Sequence, residues 1–369
     1  MLRKSLHSLF DQLRNPSSTF AQTVKGDVLI YGTGTMAQTV YKTLTQNGVF
    51  IKGFVDHRTF IQPFLCDCPI YGLESVQKAV VIIAIHNREV DIAGLINRIN
   101  AYHPLRIISL IELYDNFGDM LGGRFWLTNR NFYSPFLPLI EEVDSLWADD
   151  ISRSFYAAIL EMRLSGNYAA LPAPDLSHQY FPLDIPGWEQ PLNLIDCGAY
   201  DGDTLHSFLV NGWAFKSIAA FEPDHNNFSK LVRFAASHKE DLGSVTLWPC
   251  GVSSSTTQIK FDSGKGEASS AFAGGETVIQ CVALDDVLPA FNPNLIKMDI
   301  EGAEFDALLG ASHLIKSCYP GLAISIYHRP EHLWQIPLLV RSIAGSHYSF
   351  YLRLHGHNSF DSILYAVPQ

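Results

Sequence analysis

Three carboxylates crowd one glycine-containing turn in the second half of the chain. Leu194-Ile-Asp-Cys-Gly-Ala-Tyr-Asp-Gly-Asp-Thr204 places Asp196, Asp201 and Asp203 around Gly198 and Gly202, between an apolar strand-like run and a helical one. The free N–H groups at a helix start favour a phosphate, but three carboxylates would repel a pyrophosphate. They suit a ligand that carries positive charge, and S-adenosylmethionine has both an ammonium and a sulfonium. Gly198 and Gly202 let the backbone come close to such a ligand, with Tyr200 and Thr204 as further contacts of the loop. Glu222 ends the next strand in Ala219-Ala-Phe-Glu-Pro223, about 20 residues on, where a carboxylate can accept both hydroxyls of a ribose. Pro223 then stops the strand.

Transfer of a methyl group from sulfur to oxygen is an in-line displacement that needs positioning and removal of a hydroxyl proton. Asp299, at the end of Leu295-Ile-Lys-Met-Asp299, is the first candidate base, because ligands bind at the carboxyl ends of strands in such sheets. His328 follows Leu322-Ala-Ile-Ser-Ile-Tyr327 and is the second, with a pKa range suited to proton removal; its plainer reading is a polar residue bonded to a carbonyl or to Glu331. Asp299, Glu301 and Glu304 offer an oxygen-ligand site for a divalent cation such as Mg²⁺, although the metal-free route is favoured and Glu304 reads as a solvated helical residue or a cap on Gly302. His355 and His357 read as facing solvent or the substrate mouth. Gly264 to Gly275, with Ser269 and Ser270, reads equally as a loop closing over an acceptor and as plain surface.

The elements needed to position these residues are visible as apolar runs alternating with helix-period segments, the mark of parallel sheets with crossover helices. There are two such stretches, so the expected fold is α/β with two doubly wound sheets. Residues 1–115 form a Rossmann-like domain, 116–180 a helical connector, and 181–369 a second domain containing the acid-rich turn. In the first domain Gly32-x-Gly34-x-x-Ala37 follows Asp27-Val-Leu-Ile-Tyr31, and Asp56 ends the next strand, the position of a ribose-binding acid in a dinucleotide fold. The same glycines serve equally for a tight turn in a packing or docking domain, with Asp56 a solvated strand-end residue.

The chain has 369 residues and a formal net charge of −11, with 47% hydrophobic and 17% charged residues. That balance fills real cores and excludes a disordered or fibrous chain. Without a basic run there is little to neutralise phosphates, so no nucleic-acid partner is expected. Ala79 to Ile85 falls far short of the roughly 20 apolar residues of a membrane span. Met1 to Phe10 reads as an amphipathic helix rather than a signal peptide, which places the protein in the cytoplasm. Six cysteines sit mostly in apolar runs, where a reduced thiol acts as a small hydrophobe. The spacing of Cys66 and Cys68 is not that of a zinc or redox motif.

Read together, Ile195-Asp-Cys-Gly-Ala-Tyr-Asp-Gly-Asp203, Phe221-Glu-Pro223, Ile296-Lys-Met-Asp-Ile-Glu-Gly-Ala-Glu304 and Tyr351-Leu-Arg-Leu-His355 resemble the FkbM family of S-adenosylmethionine-dependent methyltransferases. The resemblance covers the chain from near Leu192 onward. It implies a class I methyltransferase fold closed by an antiparallel strand pair, and O-methylation of a sugar, glycan precursor or similar small acceptor. Tyr200 departs from the small or polar residue usual at its place. The rivals are an NAD- or nucleotide-sugar-dependent oxidoreductase or epimerase built on the Gly32/Gly34 loop, disfavoured because no Tyr-x-x-x-Lys pair follows, and a non-catalytic cofactor-binding protein. The oligomeric state is not readable from the sequence.

Overall fold

The computed structural model describes residues 24, 26–57, 63–261 and 277–369. The amphipathic Met1 to Phe10 segment and the Gly264 to Gly275 loop, with Ser269 and Ser270, lie outside them. Two compact units divide the chain, one of residues 1–142, 154–174 and 356–361, the other of 143–153, 175–355 and 362–369. The stretch read as a connector is therefore shared between them.

In the first unit the elements run β1 (Val28–Tyr31), α1 (Thr35–Gln46), β2 (Gly53–Val55), β3 (Phe64–Leu65), β4 (Cys68–Tyr71), β5 (Val80–Ile83), α2 (Ile92–Asn100), β6 (Arg106–Ile108) and α3 (Leu110–Leu121). Helices α4 (Leu137–Asp144) and α5 (Asp150–Ser165) follow, with residues 143–153 assigned to the second unit. The six strands lie in the order β3-β4-β2-β1-β5-β6, parallel except for β3. Val28–Tyr31 and Val80–Ile83 are apolar at every position and buried at every position, as expected of parallel strands covered on both faces. Helix α3 starts on a capping box in which Ser109 and Glu112 each satisfy the other's backbone N–H.

The second unit begins its sheet with β7 (Leu192–Cys197), followed by α6 (Asp203–Val210), β8 (Phe215–Phe221), α7 (His225–Ser237) and β9 (Ser244–Trp248). Strands β10 (Gly251–Val252), β11 (Thr257–Phe261) and β12 (Thr277–Val282) form a small separate sheet in the order β10-β12-β11. Then come β13 (Leu295–Met298), α8 (Glu304–Leu309), β14 (Gly321–Ser325), α9 (His332–Ala344), β15 (Tyr348–Leu354) and β16 (Ser362–Pro368). The main sheet runs β15-β16-β14-β13-β7-β8-β9. All neighbours are parallel except β16, which pairs antiparallel with both β14 and β15. The strand order reverses between β7 and β13, and such a switch point opens a crevice at the carboxyl ends of the strands. Those ends carry Asp196 to Thr204, Glu222, Asp299 and His328.

Candidate active site

The acid-rich turn holds itself together with its own backbone donors. Gly198 N and Ala199 N both donate to Phe221 O at 3.0 Å, Gly202 N donates to Ala199 O at 2.9 Å, and Tyr200 N donates to Glu222 Oε2 at 2.9 Å. Asp203 Oδ1 accepts from Thr204 N at 2.7 Å. The N–H groups of Gly198, Ala199, Tyr200, Gly202 and Thr204 are thus committed within the protein. Gly198 has φ 78°, and a Cβ there would run into the carbonyl oxygen of Asp299, so only glycine lets β7 and β13 end side by side. Gly202 has φ 95° where it opens α6, and a Cβ there would press on the Phe234 ring.

Glu222 is 6% exposed and accepts from both Tyr200 N and Asp224 N, the latter at 2.8 Å on Oε1. Burial outweighs these bonds and pushes its carboxyl up to about 7. A carboxylate has about four acceptor positions, so two remain for further hydroxyls. Pro223 then leads to Asp224, which caps α7 by accepting from Asn226 N and Asn227 N. Tyr200 lies at φ 48°, its ring under the Lys230 ammonium at 5.5 Å. Asp201 is half-buried, Thr204 is buried and Asp203 is exposed.

Asp196 stands differently from its reading as a cofactor contact. Its side chain is 0% exposed and its Oδ1 lies 3.0 Å from Lys297 Nζ. Lys297 also donates to Gly198 O at 2.5 Å, which ties the middle of β13 to the glycine turn. Burial disfavours the ammonium, but Asp196, Asp299 and Asp203 more than compensate and hold its pKa above the ordinary lysine range. Asp196 is pushed by burial to about 6 even with Lys297 beside it. The pair supports the loop from beneath, and Asp196 acts on a ligand through the loop. Lys297 escaped sequence reading, although a lone charge among the apolar residues of Leu295–Met298 was a visible signal.

The two candidate bases come together. His328 Nε2 lies 3.3 Å from Asp299 Oδ1 and 3.7 Å from Glu301 Oε2, while its Nδ1 bonds Glu304 Oε1 at 2.7 Å. Glu304 is fully buried rather than solvated, and it also accepts from Ile300 N at 2.8 Å and faces His332 Nδ1 at 3.3 Å. Its role as a brace on the Glu301-Gly302 turn is retained through a bond from Gly302 N at 3.4 Å. Burial alone would lower the His328 pKa, but Glu304, Glu301 and Asp299 raise it to about 10. His328 is therefore a cation at neutral pH, not a free base, and its side chain is 0% exposed. Asp299 is the open member, 23% exposed, with its Oδ2 accepting from Tyr180 OH at 2.8 Å.

Tyr180 was hidden in a proline-broken stretch 119 residues before Asp299. Its carbonyl accepts from Trp188 Nε1 at 2.6 Å, and its N–H donates to Tyr365 OH at 3.1 Å. Tyr365 in turn bonds His355 Nε2 at 2.8 Å, so His355 is buried in a structural chain rather than facing solvent. Asp299, Glu304 and His328 bring one ligand atom each within 4.8 Å of one another, a geometry that admits a cation. Glu301, read as a ligand, is replaced in that set by His328.

The charge of His328 makes stability depend on pH. Its folded pKa of about 10 lies above the ordinary 6.5, so its contribution is complete below about pH 6.5 and is lost as pH rises through 10. Urea melts between pH 7 and 10 should show stability falling, with a shallower fall in E304Q. An equal slope in both proteins would refute the Glu304–His328 charge pairing.

In the first unit the Gly32 turn is closed by Gly32 N donating to Val55 O at 2.9 Å. Asp56 is buried rather than solvated, and its Oδ2 accepts from Thr33 Oγ1 at 2.9 Å.

A doubly wound sheet with this strand order, closed by an antiparallel last strand and carrying carboxylates at its switch point, is a methyltransferase-like fold. Residues 196–363 match the model of the methyltransferase FkbM domain. The crystal structure of methyltransferase FkbM from Methylobacillus flagellatus KT is similar over 99% of both chains, with a TM-score of 0.80 and 22% identity. A crystal structure from Clostridium thermocellum, named for rRNA methylation, aligns over 47% of this chain and 84% of its own at 8% identity and a TM-score of 0.33. No curated protein matches. Among the described residues no helix is long and apolar enough to cross a membrane, and the six cysteines are free thiols.

Proposed function

We propose that the protein is an S-adenosylmethionine-dependent O-methyltransferase whose acceptor is a hydroxyl of a sugar, glycan precursor or similar small molecule, working in the cytoplasm where its free thiols stay reduced. The observation that carries this reading is the turn from Asp196 to Thr204, which is rich in carboxylates and commits the N–H groups of Gly198, Ala199, Tyr200, Gly202 and Thr204 internally. Such a turn suits a cationic ligand and repels a pyrophosphate through its carboxylates. Asp201 supplies negative charge at the open side, and Glu222 keeps acceptor positions for ribose hydroxyls. When bound, the cofactor supplies an electrophilic methyl group.

The rest of the chemistry belongs to Asp299. Its open carboxylate takes the acceptor's proton, while Tyr180 OH and the His328 imidazolium hold its two oxygens. Glu304 fixes His328 in turn, so His328 and Glu304 are positioning residues.

Calorimetry with S-adenosylmethionine, S-adenosylhomocysteine and NAD tests the reading. The first two should bind and NAD should not; tight NAD binding to this unit would overturn it. E222A should weaken S-adenosylmethionine binding by about 1.5–3 kcal/mol, the worth of hydrogen bonds to a charged group. Because burial raises Glu222 to about 7, wild-type affinity should also climb between pH 6 and 8 as its charge forms. Unchanged affinity in E222A would remove the ribose contact.

A further inference from the structure

The first unit buries a guanidinium with no counter-charge among the described residues. Arg163, in the last turn of α5, is 2% exposed, and none of its Nε, Nη1 and Nη2 meets a hydrogen-bond acceptor in good geometry among the described residues. Its surroundings are aromatic. The Cζ atom lies 5.1 Å from the centre of the Trp126 ring, and the hydroxyls of Tyr133 and Tyr156 are the groups that favour its charge. Among the described residues, no carboxylate is one of the groups that favour its charge.

Other arginines of the molecule are treated differently. Arg130 is clamped on Asp115, and the buried Arg353 holds Asp149 Oδ2 at 2.7 Å and Asp184 Oδ2 at 2.8 Å. An unpaired buried ion costs several kcal/mol, and a guanidinium cannot escape by losing its proton. Two further polar atoms lie buried and unbonded close by. Trp126 Nε1 can only donate, and it has no acceptor among the described residues. His86, whose ring centre is 5.2 Å from that of Trp126, leaves Nε2 without a partner among the described residues. The cluster thus has surplus donors and surplus positive charge.

We infer that Arg163 and Trp126 Nε1 form an enclosed binding site for one small oxyanion, with His86 as its wall. Two parallel guanidinium N–H groups match two oxygens on one centre, and the indole N–H serves a further acceptor position. Phosphate, sulfate and a small carboxylate share that chemistry. Because Arg163, Trp126, Tyr133 and Tyr156 are all buried, the anion is compact and stabilises the folded first unit by binding to it alone. This site is independent of the methyl-transfer reading.

Thermal melts of the full chain at constant ionic strength, with chloride exchanged stepwise for phosphate, sulfate or acetate, test the inference. The wild-type midpoint should rise saturably in at least one of the three, and whether phosphate or sulfate on one side or acetate on the other saturates names the source. R163M should lose that saturable rise and melt in chloride no lower than wild type, since an unpaired buried charge has been removed. W126F, which keeps the ring and drops the donor, should weaken the apparent anion affinity about tenfold; it also carries the test if R163M fails to fold, and unchanged affinity in it counts against the site. Native mass spectrometry covers an anion acquired during folding, as a mass increment in wild type that R163M lacks. Parallel curves for wild type and R163M in every salt, with no retained mass, would overturn the inference.

Discussion

D299N is expected to lower kcat by about 10²–10⁴-fold, the usual worth of a positioned general base, while the affinity for S-adenosylmethionine changes little. A loss confined to turnover marks an interaction realised in the transition state. Asp299 is assigned the proton because it is the exposed member of the pair, and because His328 already carries a proton at neutral pH. The two candidates separate by pH. With Asp299 as base, kcat at saturating S-adenosylmethionine stays level while His328 keeps its charge and changes only as pH approaches 10. With His328 as base, that kcat would climb steadily up to that pH, and E304Q would move the break downward by removing its main electrostatic partner. Wild-type turnover in D299N, or activity abolished by EDTA and restored by Mg²⁺, would overturn the metal-free assignment.

The division of labour between Asp299 and His328 explains what was readable in advance. The acid-rich turn, Glu222 and the strand ends were legible because a glycine turn between a strand and a helix is local in sequence, and sheet topology then fixes which ends share a crevice. The apolar runs Val28–Tyr31, Val80–Ile83 and Leu295–Met298 announced buried parallel strands for the same reason. What local pattern could not reveal was pairing across long separations. Glu304 looked solvated at a helix start, yet it is buried because His328, 24 residues on, neutralises it. His328 looked like a free base until three carboxylates converged on it. Tyr180 reaches Asp299 across 119 residues, and no spacing rule predicts such a contact. Asp196 read as a ligand contact because its neighbours in the turn face a cleft, but side chains alternate along a strand, and its own turns inward to Lys297.

That inward pair sets the second large effect. K297M should destabilise the second unit by about 3–5 kcal/mol, the cost of removing one partner from a buried ion pair, and lower its melting midpoint by on the order of 10 °C. The substitution leaves Asp196 at 0% exposure with no cation and deprives Gly198 O of its donor. Asp196 can then relieve itself by taking up a proton. Burial already raises its pKa to about 6 with Lys297 present, and removing the ammonium raises it further. A carboxyl whose folded pKa exceeds its unfolded value binds more protons in the folded state, so its penalty grows as pH rises. The deficit of K297M relative to wild type should therefore be larger at pH 8 than at pH 5. The double variant D196N/K297M removes the orphaned charge and should recover much of the loss, a non-additivity expected for contacting residues. Chemical denaturation of the four proteins at both pH values measures all of this. A K297M protein as stable as wild type at pH 8, or a double variant no better than K297M, would mean that the glycine turn is held by its backbone bonds alone.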